Sequence, residues 1–538
     1  MGQILFWLEA AAAGVLLAAL RTTINARINR WQWRWLVGLG YLVVMFLFWL
    51  ATAGITIVAH AFARTSGLPL IGAVLGLAGF LAGSIVVRIR GRRKNADEPT
   101  RRVAADWPAA RLAWAALAAA ILTGMTFWNL DLAARQEMAV IHAEACMTAM
   151  SVTPPRVSDS QNAAPLYRRA GELMKADPGW QELVDQWLHP SAGGFNPTDE
   201  KMLAFLARHA DSLDLLRQGA DLPGYDDGLP FNLRRWQMEL PPLEPFQLRE
   251  YLHLSAKVNA QAGRTVEAAR DIGAIFGMAR HKSTEPLEIS VIFGMTLERD
   301  AFEAFQDLLD AGPVPLEALD ALGLDPRTAF QPAMQRATVM EECFGIGMFS
   351  EIPAKNATVD DLRKTTRFTV FTFCENPLYR VFLWRGDLDA YRGVMDPVKQ
   401  LAGRPYHESA EAWKRLRENP VHDRMGGMLA RLIAPVTASF APNVAQADAH
   451  HRLSLLAVAA CRYHHARGAG PETLAALVPA YLPAVPADPF TGKPLLLAHA
   501  PDGRPILYSV GRDMTDDGGK PFDRQTEKGD IRLVLPAK

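Results

Sequence analysis

The side chains best placed to do chemistry are four aspartates near the carboxyl end: Asp513, Asp516, Asp517 and Asp530. Gly518 and Gly519 sit among them and permit a tight turn. Calcium takes six to eight oxygens from carboxylates and backbone carbonyls. The spacing is therefore that of a calcium loop, or of a solvated acidic turn closed without metal. Other candidates are poorer. His450-His451 and His464-His465 are too far apart on one helix, about 21 Å, to share an ion. His142 and Cys146 stand one turn apart, but a metal needs more than two ligands. Glu341 and Glu342 precede Cys343, yet adjacent helical residues point in different directions. His407-Glu408 lacks the second histidine of HExxH, and there is no GxSxG, P-loop or GxGxxG after a strand. No catalytic residue is therefore assigned, and an enzyme is the lesser expectation.

The 538 residues carry no net formal charge, which gives no footprint for nucleic acid. Apolar residues make up 49 %, concentrated in the first quarter. Leu5–Leu20, Leu36–Ala61, Leu68–Val87 and Leu112–Trp128 are apolar runs of the length that crosses a ~30 Å hydrocarbon core. Arg21, Arg27, Arg30 and Arg34 follow the first run; Arg88, Arg90, Arg92, Arg93 and Lys94 follow the third. Positive links stay cytoplasmic. The expectation is four transmembrane helices (1–128) in a bacterial inner membrane, with lipid as a partner. The amino terminus and everything after Trp128 then lie on the outer, periplasmic side. No cleavable signal peptide is evident at Met1-Gly2-Gln3. The third run holds Gly72-x-x-x-Gly76 and Gly79-x-x-x-Gly83, small-residue pairs that pack membrane helices. Cys146, Cys343, Cys374 and Cys461 would all meet oxidising conditions, as buried thiols or in one of three pairings.

Beyond the fourth run, Ala134, Met138, Ile141, Ala145 and Ala149 continue one helical face until Pro154-Pro155. This predicts a helical stalk over 129–155. Residues 156–440 read as helical hairpins. Thr198 can cap a helix there, with Asp199 and Glu200 at its positive end. The clearest pair is Gln247–Gln261 and Val266–His281, joined by Ala262-Gly263-Arg264-Thr265, with a further helix over Leu287–Leu309. Ala256, Ala260, Gly263, Ala268 or Ala269, and Phe276 resemble one tetratricopeptide-type hairpin. No regular 34-residue period continues on either side. Such arrays offer grooves to peptides or protein partners, and a packed helical domain is the alternative.

The last part, 441–538, is expected to be α+β. A helix around Ala447–Ala466 precedes Pro486-Ala487-Asp488-Pro489-Phe490-Thr491-Gly492, the strand Ile506–Ser509 and the acidic loop. In order and spacing, Ala447–Leu535 resembles the globular end of major pseudopilins, the type II secretion protein G family. The resemblance implies an α+β fold and a calcium loop in which Asp513 and Asp530 match best. It departs from the family because this segment lies at the opposite end of the chain from the leader helix. The whole layout, including Asn162-Ala163-Ala164-Pro165-Leu166-Tyr167, is similar to uncharacterised multi-pass bacterial envelope proteins, which brings no activity. The expected fold is mainly α. The expected role is a membrane-anchored envelope protein whose helical domain contacts an envelope protein or peptide. The alternatives are an accessory component of a type II secretion or pilus-like machine, and a membrane-bound hydrolase with a site assembled from distant residues.

Overall fold

A computed structural model describes residues 106–175, 177, 179–188, 195–229, 244–351, 374, 377–418, 427, 429–433, 440–523, 525–526 and 528–536. The chain divides into two compact units. The first comprises Met1–Ala143, Phe349–Tyr391 and Arg424–Ile433; the second comprises Glu144–Met348, Arg392–Asp423 and Ala434–Lys538.

One long helix, α1, spans Asp106–Val152. Alanine-rich sequence whose one proline, Pro108, falls in the first turn, and which has no β-branched run, carries it that far. Met138, Ala145 and Ala149 of the expected face are buried. The expectation of a four-helix, multi-pass transmembrane part in the inner membrane is corrected here. Among the described residues no helix is long and apolar enough to cross a membrane. The fourth run, Leu112–Trp128, lies in α1, whose next turns bring Asp131, Arg135 and Glu137. The runs 5–20, 36–61 and 68–87, and both GxxxG pairs, lie outside the described residues.

In the first unit, two carboxylates, Asp131 and Asp387, tie together segments far apart in the chain. Arg380 is buried and donates from Nε to Asp131 of α1 at 2.6 Å. Asp387 accepts the Tyr379 hydroxyl at 2.7 Å and the backbone N–H groups of Leu429 and Ala430 at 2.8 and 3.0 Å. His142 meets the Ser350 hydroxyl at 2.8 Å.

The second unit is a helical-hairpin stack continued by a small sheet. Its first helices are α2 (Ala164–Met174), α3 (Trp180–Leu188), α4 (Glu200–Arg208) and α5 (Ala210–Asp221). Asp199, not Thr198, caps α4: its carboxylate accepts the N–H groups of Lys201 and Met202, both at 2.9 Å. Thr198 instead donates its hydroxyl to Asn196. The hairpin read from sequence is present as α6 (Arg249–Gln261) and α7 (Thr265–Thr284), turning at Gly263 with φ +74°. Leu252, Ser255, Ala256, Ile272, Ile275, Phe276 and Ala279 are buried, as the 3.6-residue spacing requires. α8 (Glu288–Ala311) and α9 (Leu316–Ala321) follow.

α7 is the central helix and packs on α5, α6, α8 and α9. Two glycines allow this approach. A Cβ on Gly277 would meet Ala220 Cβ at 2.7 Å, and one on Gly273 would meet the Ala321 carbonyl at 2.7 Å. Then come α10 (Phe330–Glu351), α11 (Trp384–Ala402), α12 (Tyr406–Glu418) and α13 (Ala441–Arg467). α13 ends at Gly468, whose φ of +70° closes the helix in the left-handed region.

The carboxyl end is a three-stranded antiparallel sheet in the order β1 (Leu496–His499), β2 (Pro505–Ser509), β3 (Ile531–Val534). Leu507 pairs with Leu497 on one side and Leu533 on the other. β2 and β3 pack on α13, and β3 also meets α8. Gln306 of α8 bonds the edge of β3 through both the N–H and the carbonyl of Val534. Leu477, Phe490, Leu507 and Leu533 belong to the same core as Tyr167, Ile275 and Phe305. The segments 156–440 and 441–538 therefore share a core where they are described. None of the four cysteines, Cys146, Cys343, Cys374 and Cys461, is in a disulfide.

Candidate functional site

One recess of the second unit is a cleft of about 220 Å³ on α13. Ala441, Val444, Ala445, Asp448 and Arg452 line it, at the spacing of one helix face. Gln331 and Met334 come from α10, and Leu401 to His407 from the turn between α11 and α12. Trp413 of α12 and the turn Ala487–Gly492 complete the lining.

Its carboxylates hold the walls together. Asp448, fully buried, accepts the N–H of Phe330 at 2.6 Å and of Gln331 at 3.3 Å. It thereby caps α10 from another helix, where the N-terminal N–H groups lack intrahelical partners. Burial pushes its carboxyl above the usual range, and the Phe330 N–H only partly opposes this. Asp488 accepts the N–H of Phe490 and the Ser509 hydroxyl, both at 2.9 Å, and the N–H of Val510 at 3.0 Å. It locks the Pro489-Phe490 turn to the end of β2. Gln331 donates to the Ala402 carbonyl at 3.1 Å, joining α10 to α11. Phe490 meets Tyr406 edge-on at 5.5 Å between ring centroids. The positive φ of Gly492 matters locally, because a Cβ there would lie 2.6 Å from His407 Nε2.

The donors are less engaged. Arg452 gives one nitrogen to the Ala487 carbonyl at 2.7 Å. His407 stands 3.7 Å from Glu408. Arg404 is exposed, and its guanidinium has no partner among the described residues. Trp413 is 4 % exposed, yet its indole N–H has none either, and nor has the Tyr406 hydroxyl. Burial raises the Tyr406 hydroxyl pKa, so it stays a donor. No serine, threonine, cysteine or lysine lines the cleft. The lining offers hydrogen-bond donors and apolar contact to a ligand.

The four aspartates singled out from sequence are gathered in one loop, and three of them accept backbone N–H groups of that loop. Asp513 accepts the N–H of Thr515 at 3.1 Å and of Gly529 at 3.4 Å. Asp516 accepts the Tyr508 hydroxyl and the Gly518 N–H, both at 3.0 Å. Asp530 is buried and accepts the N–H of Gly519 at 2.6 Å and of Asp517 at 3.4 Å. Burial lifts the Asp530 carboxyl. Among the described residues no three His, Cys, Asp or Glu side chains form a metal-binding group.

The histidine pairs sit on α13. His451 Nδ1 is 3.0 Å from Glu298 and its Nε2 is 2.9 Å from the Asp325 carbonyl. Both ring nitrogens are thus engaged, and the Glu298 carboxylate keeps the imidazolium favoured against burial. His450 stacks on Phe302 at 4.3 Å and burial drives its pKa down to about 3. His465 Nε2 bonds the Val314 carbonyl at 2.7 Å, beside a wider recess of about 760 Å³. There Arg504 is already paired with Asp502 and Asp310. Glu342 binds Lys399 at 2.7 Å, and burial raises the Cys343 thiol to about 12, so that thiol is not an activated nucleophile.

Sequence reading missed Arg404, Tyr406, Trp413 and Arg452. They lie within 49 residues of one another but on three separate elements, and no local pattern marks them. Comparison with protein-family models, curated proteins and solved structures found no match to this chain, so the likeness of Ala447–Leu535 to pseudopilins rests on its motifs alone.

Proposed function

We propose that this chain works by binding, and that its second unit is a recognition platform for a peptide or protein partner. One observation carries the reading: the cleft on α13 keeps donors without internal partners, while its carboxylates are committed to holding the walls. These donors are not sealed from solvent, since Arg404 is exposed and no atom of the cleft is a buried side-chain atom without a partner among the described residues, so they stay open to a ligand that can accept from them. The rigid backing of α10 and α13 would keep the cleft formed before a partner arrives, which lowers the cost of binding. A recess of about 220 Å³ suits one or two side chains rather than a whole cofactor.

The test is a photo-crosslinking residue placed at position 407, at the cleft, and in a separate sample at position 264, in the exposed α6–α7 turn. A discrete protein or peptide adduct in native cells from position 407 alone is the expected result. The same adducts from both positions, or none from position 407, would overturn the reading.

A further inference from the structure

We infer that the cleft on α13 selects a carboxylate carried on a small apolar group, either the free end of a peptide or an acidic side chain. This rests on the binding reading above and adds the chemistry of the ligand. The charged groups that the lining leaves uncommitted are donors, and the Gln331 amide oxygen, left over when its nitrogen bonds Ala402, is a neutral acceptor beside them. Arg404 has no partner, and the Trp413 N–H and Tyr406 O–H have none among the described residues. Arg452 uses one nitrogen on the Ala487 carbonyl. The carboxylates are occupied: Asp448 by two N–H groups, and Asp488 by two N–H groups and a hydroxyl. A cationic ligand would find those carboxylates already engaged and two guanidinium groups against it. An anionic oxygen pair matches arginine geometrically and gains from charge-assisted hydrogen bonds. Met334, Leu401, Val444 and Pro489 offer apolar wall to the group that carries it. The small volume limits that group to about one side chain.

Calorimetry on the full chain tests this with four probes, two charged and two neutral. N-acetyl-leucine presents a terminal carboxylate, N-acetyl-glutamate bis-N-methylamide removes the charge of an acidic side chain, and N-acetyl-glutamate α-N-methylamide restores it. N-acetyl-leucinamide is the neutral partner of the first. The location is read by fluorine NMR on 5-fluorotryptophan protein, with the Trp413 resonance assigned by its loss in Trp413→Phe. One or both carboxylate probes should bind saturably, shift the Trp413 resonance and exceed their neutral partners by about tenfold or more. Which of them binds distinguishes a peptide terminus from an acidic side chain. Arg404→Ala, at an exposed position, should weaken the carboxylate probe by about tenfold without changing the fold, and Arg404→Lys should restore part of the loss.

Equal binding of charged and neutral probes, or no binding of any probe, overturns the inference. If position 407 still crosslinks a partner, the recognition reading survives that failure. If it does not, both fall.

Discussion

The cleft and the interior beneath α7 treat charge in opposite ways. Beneath α7, Lys282 is fully buried and its ammonium lies 2.6 Å from Glu285. The same ammonium stands 4.6 Å from the centre of the Tyr225 ring and 4.3 Å from that of Phe246. Next to it, His281 bonds the Tyr167 hydroxyl at 2.9 Å and the Leu222 carbonyl at 2.8 Å. The cation there has its carboxylate and its aromatic faces supplied by the chain itself. At the cleft, Arg404 and Trp413 have no such partners among the described residues. A closed network serves the fold, and an open one is available to something else. The same residue chemistry thus supports two roles, and the difference lies in whether the tertiary structure completes the pairing.

Breaking the closed network should have the largest effect. Glu285→Ala leaves a buried ammonium unpaired and should cost about 3–5 kcal/mol in urea unfolding. Replacing both partners, as Lys282→Met with Glu285→Leu, should recover most of that loss, because the desolvation cost of both charges disappears. If the single and double variants are equally destabilised, packing rather than charge pairing holds this region.

Asp448→Ala sits between the two regimes, since Asp448 lines the cleft yet caps α10. It strips the N–H groups of Phe330 and Gln331 of their acceptor and should cost about 1–3 kcal/mol. Carboxylate binding should weaken with it as α10 loosens. An unchanged stability would show that the cap is dispensable.

Acid should act on the interior before the cleft. His281 and His450 are each held down to about 3, from an ordinary value of 6.5, chiefly by burial. Between these values the unfolded chain binds protons that the folded chain refuses. Stability from each is therefore full above pH 6.5 and falls as pH drops, by up to about 1.4 kcal/mol per pH unit. His451 acts in the opposite sense: its raised pKa adds stability at low pH that is lost as pH rises through its folded value. The two neutral histidines outweigh it, so stability should fall from pH 7 to pH 5, and His450→Leu should flatten the slope. A flat profile in the unaltered protein would contradict the burial of both rings.

The smallest effects belong to the surface. Arg404→Ala should change stability by no more than about 0.5 kcal/mol while abolishing carboxylate selection. Calcium should leave the melting temperature unchanged, because Asp513, Asp516 and Asp530 already accept hydrogen bonds from the loop. A saturable calcium heat with a rise in melting temperature would show that the loop reorganises around the ion.

Much of the helical architecture was legible because periodicity reports burial directly. The apolar face of α6 and α7, the turn at Gly263, the long helix through Met138 and Ala145, and the strand after Pro505 all follow from local pattern. The membrane reading failed where length and apolarity were taken over a 17-residue stretch without the charged turns that continue the same helix. The cap of α4 shows a finer limit: Thr198 and Asp199 are both good caps, and in the fold the Thr198 hydroxyl goes to Asn196 while Asp199 takes the helix N–H groups.

What the order of residues determined alone was where helices and turns form, since these depend on side chains within a few positions of each other. It also placed four aspartates in one glycine-bearing loop. Whether a charge is closed or open depended on groups far apart in the chain: Asp448 meets Phe330, and Arg452 meets Ala487, only after folding. Those pairings are set by three-dimensional packing, so the cleft and its unengaged donors belong to the tertiary structure.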